Sequence, residues 1–425
     1  MPLRRFDVQA WRGQSSLARR LNLGGTDHQR QTVAAIVRAV AERGDAAVAE
    51  HSQRFDGWVP APGETWAVPG AELQAARARL PADQLAALEL AAERIRAFHA
   101  AQVFGDVDGP DGLRLLTRPV QRAGLYAPGG RAAYPSTVLM AAIPARVAGV
   151  GHVALATPPG ADGRVPDAIL AAAAVARVDS VYRLGGAQAI AALAYGTETV
   201  PAVDVIAGPG NVYVALAKRE VFGAVGVDGV AGPTEIMVVA DAEADPTLVA
   251  ADLASQLEHD PLAWAVLLTD SAALADAVEE AFSDLRRRLE RKEVVAAASC
   301  AIVLTSSLDE AIDLANQFAP EHLEILTAEP APLLGRVENA GAVFVGPLSP
   351  VSLGDYVIGP NHTLPTAGSA RYSSPLGVYT FLKRTSVARL TLGQFRQLEG
   401  AARTLAHMEG LTAHAHAIAV RSVED

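Results

Sequence analysis

Apolar positions along the chain follow two rhythms. Up to about residue 105 they recur at helical spacing with charges between them, most clearly over 31–50 and 81–103, which predicts helices. Pro81 followed by Ala82 and Asp83 suits the start of the second. From about residue 122 the rhythm becomes a short apolar run, a glycine-rich loop, then a helix. AGLYAP (123–128), HVALAT (152–157), SVYRLGG (180–186) and VDVIAGPG (203–210) predict strands, with helices starting near Ser136, Pro166, Ala187 and Asn211. A second series follows: EIMVVADA (235–242), AWAVLLTD (263–270), AIVLT (301–305), HLEIL (322–326) and GAVFVG (341–346), with a long helix through 271–291. Strands alternating with helices need crossover connections, hence parallel sheets. From about residue 375 the chain reads as helices with few strand signals. That stretch is too short for a core of its own, so it is expected to pack on something else.

Composition narrows this picture. A chain of 425 residues suggests two or three domains, and half its residues are apolar. The 36 basic and 47 acidic side chains leave a net charge of −11. That argues against nucleic acid or an anionic membrane as the main partner, but leaves room for an anionic cofactor held by local donors. Cys300 is the sole cysteine, so no disulfide forms within the chain. A reducing, cytoplasmic compartment fits, as would a disulfide-free secreted protein. The segment MPLRRFDVQAWRG has charges with no apolar run behind them, unlike a signal peptide. No apolar stretch reaches the roughly 18–20 residues of a membrane span.

Candidate chemistry gathers in a few segments. In ADPTLVAADLASQLEHDP, Asp245 suits an N-cap, Pro246 the first helical position, and Asp260-Pro261 a stop. Leu248, Val249, Leu253 and Leu257 mark the expected buried arc, and Asp252, Gln256 and His259 fall inside it. A buried amide and imidazole need partners; taken alone, this helix is read most simply as a hydrogen-bonded polar cluster. In APEHLEI, Glu321 and His322 stand between a helix and a strand. Strand ends of parallel sheets gather active sites, histidine is the usual general base near neutrality, and glutamate can assist a water. A surface loop pair would look the same. Asp355 and His362 lie in a glycine- and proline-rich loop; both types ligate metals, yet turns favour aspartate anyway. Glu409, His414 and His416 lie near the C-terminus, where alternate histidines on a helix face apart, so at most one of the pair joins a given site. The loops GGAQ (185–188) and GPGN (208–211) each follow a strand and open a helix, an arrangement that admits anionic groups. Neither is GxGxxG, and spacing alone does not establish dinucleotide binding.

Together these segments resemble the histidinol dehydrogenase family. The likeness runs from GLYAPGG at Gly124 through GGAQAIAALAYGT, AGPGNVYV, AGPTEI, DLASQLEHDP, APEHLEI, GDYVIGPNHTLPT and SSPLGVYTFLKR to LTAH ending at His414. It implies α/β architecture with two incomplete Rossmann-like parallel-sheet domains and small N- and C-terminal helical extensions. The bounds expected are 1–22 for the N-terminal extension, 23–125 with 235–374 for a metal-binding and catalytic domain, 126–234 for an NAD-contacting domain, and 375–425 for the C-terminal extension. The resemblance implies one zinc per subunit on Gln256, His259, Asp355 and His414. It implies Glu321 and His322 as the catalytic pair and Tyr126, Gln188 and Asn211 as NAD contacts. Substrate contacts would be Thr234, Gln256, His259, His322, Asp355, Glu409 and His414. The implied activity is two sequential NAD-linked oxidations of L-histidinol, through L-histidinal to L-histidine, the last step of histidine biosynthesis. The implied assembly is a homodimer whose C-terminal extension enters the partner's site. Thr234 stands where the family has serine, keeping the hydroxyl and adding a methyl. His416 is expected to be a bystander. Rival readings are a paralogue oxidising another small alcohol, a zinc hydrolase and a non-catalytic imidazole-binding protein.

Overall fold

The structure is a computed structural model and describes residues 3–14, 25–129 and 133–422. Part of the expected N-terminal extension therefore lies outside the described residues. Its strands in chain order are β1 (Arg4–Asp7), β2 (Val107–Asp108), β3 (Leu113–Pro119), β4 (Arg122–Tyr126), β5 (His152–Thr157), β6 (Ser180–Arg183) and β7 (Val205–Ala207). There follow β8 (Gly226–Val227), β9 (Glu235–Ala240), β10 (Trp264–Thr269), β11 (Ser299–Leu304), β12 (His322–Leu326), β13 (Ala342–Val345) and β14 (Leu382–Ala388). The chain divides into two compact units, one of residues 1–102 and 120–381, the other of 103–119 and 382–425.

The larger unit holds two parallel sheets. One has the order β1-β11-β10-β9-β12-β13 and the other β6-β5-β4-β7-β8. Both apolar series therefore fold as predicted, each as a doubly wound sheet whose order reverses beside its first strand. The five-residue run HLEIL is buried throughout because helices cover both faces of such a sheet. β1 is an edge strand that the sequence reading did not anticipate: RRFD carries too few apolar residues to signal a strand, and its pairing with β11 supplies what the pattern lacks.

The N-terminal helices depart from the expected domain grouping. Asp27–Arg43 starts at a capping box between Thr26 and Gln29 and buries Val33, Ile36, Val37 and Val40. Those side chains share a core with Ile190, Leu193 and Ile206, which flank the five-stranded sheet. Leu73, Ala92 and Ile95, from helices Gly70–Arg79 and Ala82–Ala100, join Leu139, Ile143 and Leu155 in the core on its other side. Residues 27–100 thus cover the sheet of 122–227, not that of 235–345. β4 begins at Arg122, so the expected boundary at 125/126 cuts through a strand. The apolar stripe was legible, but nothing in a stripe says which sheet it will cover.

The smaller unit contains the antiparallel sheet β14-β3-β2 and the helices Leu392–Met408 and Thr412–Ala419. Its strands also escaped the sequence reading. β14 (LKRTSVA) is largely exposed and takes its form from the seven-residue ladder with β3.

Candidate functional site

A cleft of about 500 Å³ in the larger unit is walled by residues from both parallel sheets. On the side of the six-stranded sheet stand Thr234, Gln256, His259, Glu321, His322 and Asp355; on the other stand Pro128, Pro209, Gly210 and Asn211. The first group lies at the amino edge of its sheet. Thr234 immediately precedes β9, and His322 opens β12. The second group lies at the carboxyl edge of the other sheet, in the crevice between β4 and β7 where strand order reverses.

Glu321 and His322 follow a helix that ends with Ala319 in left-handed geometry, φ 52°. Both are buried. The His322 Nδ1–H points at the Glu235 carbonyl, 3.0 Å away, which leaves Nε2 as the ring's acceptor. Burial pushes this imidazole below its ordinary range, so it is neutral and basic at Nε2 near pH 7, with Asp355 opposing the shift. Glu321 Oε2 accepts from the Thr234 hydroxyl at 2.5 Å and from the Glu235 amide at 2.9 Å. Burial outweighs these two bonds and lifts its carboxyl to about 8, and Asp355 adds to the rise. The pair is therefore no surface loop. Two hydrogen bonds fix the acid and one fixes the base, and Nδ1 of His322 lies 3.6 Å from Oε2 of Glu321.

Gln256 lies in the last turn of helix Pro246–Leu257, which starts at the Asp245 cap as expected. Its amide nitrogen donates to the Thr234 hydroxyl, while its buried Oε1 has no partner among the described residues. Two details depart from the expected arc. Leu248 is exposed, and the helix ends before His259, which is an exposed residue on the cleft wall. Asp355 belongs to the short helix Val351–Tyr356, and burial raises its carboxyl against the pull of His322 and His259. His362 lines the same cleft: its Nδ1–H donates to the Asp355 carbonyl at 2.9 Å and its Nε2 meets the Thr137 hydroxyl at 3.3 Å. Burial depresses His362 to about 4, so it stays neutral.

The orphaned Gln256 oxygen, the exposed His259 imidazole and the half-buried Asp355 carboxylate suit a divalent cation. Among the described residues, no three His, Cys, Asp or Glu side chains cluster closely enough to hold one unaided. His414, Glu409 and His416 lie in the smaller unit.

The expected nucleotide contacts separate. Asn211 borders the cleft and caps helix Val212–Val221, with its side-chain oxygen accepting from the Tyr213 and Val214 amides. Tyr126 and Gln188 are buried at the start of helix Gly186–Tyr195. The Tyr126 hydroxyl accepts from the Gly186 amide at 3.1 Å, and Gln188 donates to Asp56 at 3.1 Å. The sequence reading did not single out Thr137, and it named His362 only as a residue type able to ligate a metal. An acid inside an apolar strand, Glu324 in HLEIL, was a further signal available but unused: Glu324 is buried against Asp252, and burial raises both carboxyls.

The profile of the histidinol dehydrogenase family matches residues 22–422. A histidinol dehydrogenase of Synechococcus is 51% identical over 402 residues, covering 93% of this chain and 92% of its own. One from Moorella thermoacetica is 51% identical over 393 residues, covering 91% and 92% respectively. The crystal structure of histidinol dehydrogenase from Elizabethkingia anophelis superposes with a TM-score of 0.89 at 32% identity, covering 99% of this chain and 98% of that one.

Proposed function

Because the chain belongs to the histidinol dehydrogenase family of oxidoreductases, we propose that it oxidises L-histidinol to L-histidine in two NAD-linked steps at the cleft described above. The observation that carries this reading is the meeting, in one cleft, of a buried Glu-His pair, an unpartnered buried amide oxygen and the reversal point of a parallel sheet. In the first step His322 Nε2 takes the alcohol proton as hydride leaves the carbon for the nicotinamide. The aldehyde then stays between the Glu-His pair and the Thr234 wall, shielded from bulk water. Once His322 has passed the alcohol proton to solvent, Glu321, as carboxylate, draws one proton from the water that adds to the aldehyde, and His322 takes the remaining hydroxyl proton of that adduct as its hydride goes to a second NAD. Thr234 holds Glu321 in place throughout.

Gln256, His259, Asp355 and His414 would hold zinc. Bound there, zinc would orient the imidazole and amine of histidinol, the templating role of a catalytic metal. The loop 208–211 would take the nucleotide, with Asn211 its side-chain contact; Tyr126 and Gln188 would act from beneath. A homodimer in the cytoplasm completes the reading, with Glu409 and His414 supplied to the partner's site. Its support is the smaller unit itself: helix Leu392–Met408 buries only Ala406 and leaves Leu398, Leu405 and Met408 exposed. No helix among the described residues is long and apolar enough to cross a membrane.

Product stoichiometry tests the proposal. Two NADH and one histidine per histidinol consumed are expected, followed by absorbance and product analysis. A ratio of one, with aldehyde accumulating, points to a paralogue oxidising another alcohol.

A further inference from the structure

Behind the Gly208–Asn211 loop lies a buried ion pair that the chemistry above does not use. Lys218, on helix Val212–Val221, pairs with Asp228, just after β8; their side chains are 4% and 5% exposed. Both bond to one residue. Lys218 Nζ donates to the Gly208 carbonyl at 3.0 Å, and Asp228 Oδ2 accepts from the Gly208 amide at 2.8 Å. Asp228 Oδ1 accepts in addition from the Gly229 amide at 2.8 Å, and the Asp228 amide donates to Ile206 in β7.

Gly208 has no freedom on its other side. Its φ is 116°, and a Cβ there would lie 2.2 Å from the Tyr126 carbonyl oxygen. The residue is therefore wedged between the end of β4 and the ion pair, and Pro209, Gly210 and Asn211 leave it to line the cleft. The lysine reaches back from the helix that this loop opens, so loop and helix are tied as one body. Two charges out of water carry a large desolvation cost, and apolar residues of similar size often serve stability as well or better. What apolar residues cannot do is hold both backbone polar groups of one residue in a fixed direction.

We propose that Lys218 and Asp228 are positioning residues for the nucleotide, fixing the Gly208 backbone and through it the Pro209–Asn211 wall against which the cofactor docks. This rests on the reading that the 208–211 loop takes NAD. The test compares wild type, K218M and K218R in zinc content, NADH binding by fluorescence titration, and the KM values for NAD and for histidinol. Loss of the cationic donor in K218M should raise the NADH Kd and the NAD KM by between about tenfold and a hundredfold, leaving zinc content and the histidinol KM near wild type. K218R, which keeps a cationic donor, should recover much of the NADH affinity. A merely structural role would lower kcat through a smaller active fraction and leave both KM values unchanged, and that result overturns the proposal. If K218M fails to fold, the double variant K218M/D228N, which leaves no buried charge unpaired, is read in its place; wild-type NADH affinity in it overturns the proposal equally. Wild-type protein that reduces no NAD would instead sink the nucleotide reading, so the two failures are distinct.

Discussion

Setting β1 aside, the six-stranded and five-stranded sheets share one strand order, yet they turn opposite edges to the cleft. The five-stranded sheet offers its carboxyl edge, where helices begin: Asn211 caps one helix and Gly185–Gly186 open another. Helix N-termini present free amides and partial positive charge, which favour anionic groups such as a pyrophosphate. The six-stranded sheet offers its amino edge, where helices end: Gln256 lies in a last turn and His259 just beyond it. Helix C-termini present free carbonyls and partial negative charge, which favour cations. One topology thus yields a wall whose partial charges favour anions and a wall whose partial charges favour cations, by the choice of edge. Glu321, His322 and Asp355, whose protonation burial shifts, all belong to the second wall.

The sharpest way to break this comparison is to remove the base from the cation wall. H322N keeps a side chain able to bond the Glu235 carbonyl but has no basic nitrogen, so both oxidations should slow by about 10²–10⁴-fold, with zinc and NADH binding retained. Stopped-flow measurement with histidinol and with histidinal as separate substrates checks this. Unequal loss would show that the two steps use different bases. Next in size is H259N, which should strip most of the zinc and cost at least about a hundredfold in turnover. Elemental analysis reads the metal directly; full metal content in an active variant would remove His259 from the ligand set.

Much of this contrast was legible before folding was considered. The two series of apolar runs gave both sheets, because a strand buried on both faces needs an unbroken apolar stretch. The sequence put Glu321 and His322 between a helix and the start of a strand, as the structure does, but the rule that sites gather at carboxyl ends, which suits Gly208–Asn211, does not account for that edge. Nor did the helical pattern show where residues 27–100 pack, or that His259 lies past its helix. β1, β3 and β14 were missed because their side chains are mostly exposed or half-buried, and their form comes from partners distant in sequence. Pairing is information that local pattern lacks.

A smaller effect divides the labour within the cation wall. Glu321 must lose its proton to activate water, and burial holds that proton on to about pH 8. Histidinal oxidation should therefore rise with pH through the neutral-to-alkaline range. A cation bound near Asp355 would move the midpoint below 8 without reversing the sign. E321Q should flatten that rise and slow histidinal oxidation by about 10²-fold while slowing the alcohol step less than tenfold. Equal damage to both steps would contradict the division.

The smallest expected effect tests the ground beneath this wall. Asp252, one turn before Gln256, meets Glu324, which follows His322 by two residues and so shares its face of β12. Glu324 is 1% exposed, and burial beside a second carboxyl raises it well above the ordinary value of 4.5. The folded protein thus keeps a proton that the unfolded chain releases once pH exceeds that ordinary value. Folding stability contributed by this group is complete below it and declines as pH rises toward the folded-state value, by at most about 1.4 kcal/mol per pH unit. E324Q carries no proton to lose yet can still donate to Asp252, so it should remove the decline. Thermal unfolding of wild type and E324Q at pH 5.5 and 8.5 (chosen to lie on either side of neutrality) reads the difference. The melting temperature of E324Q relative to wild type should be more favourable at the alkaline pH. An offset equal at both would mean that Glu324 is ionised in the folded state.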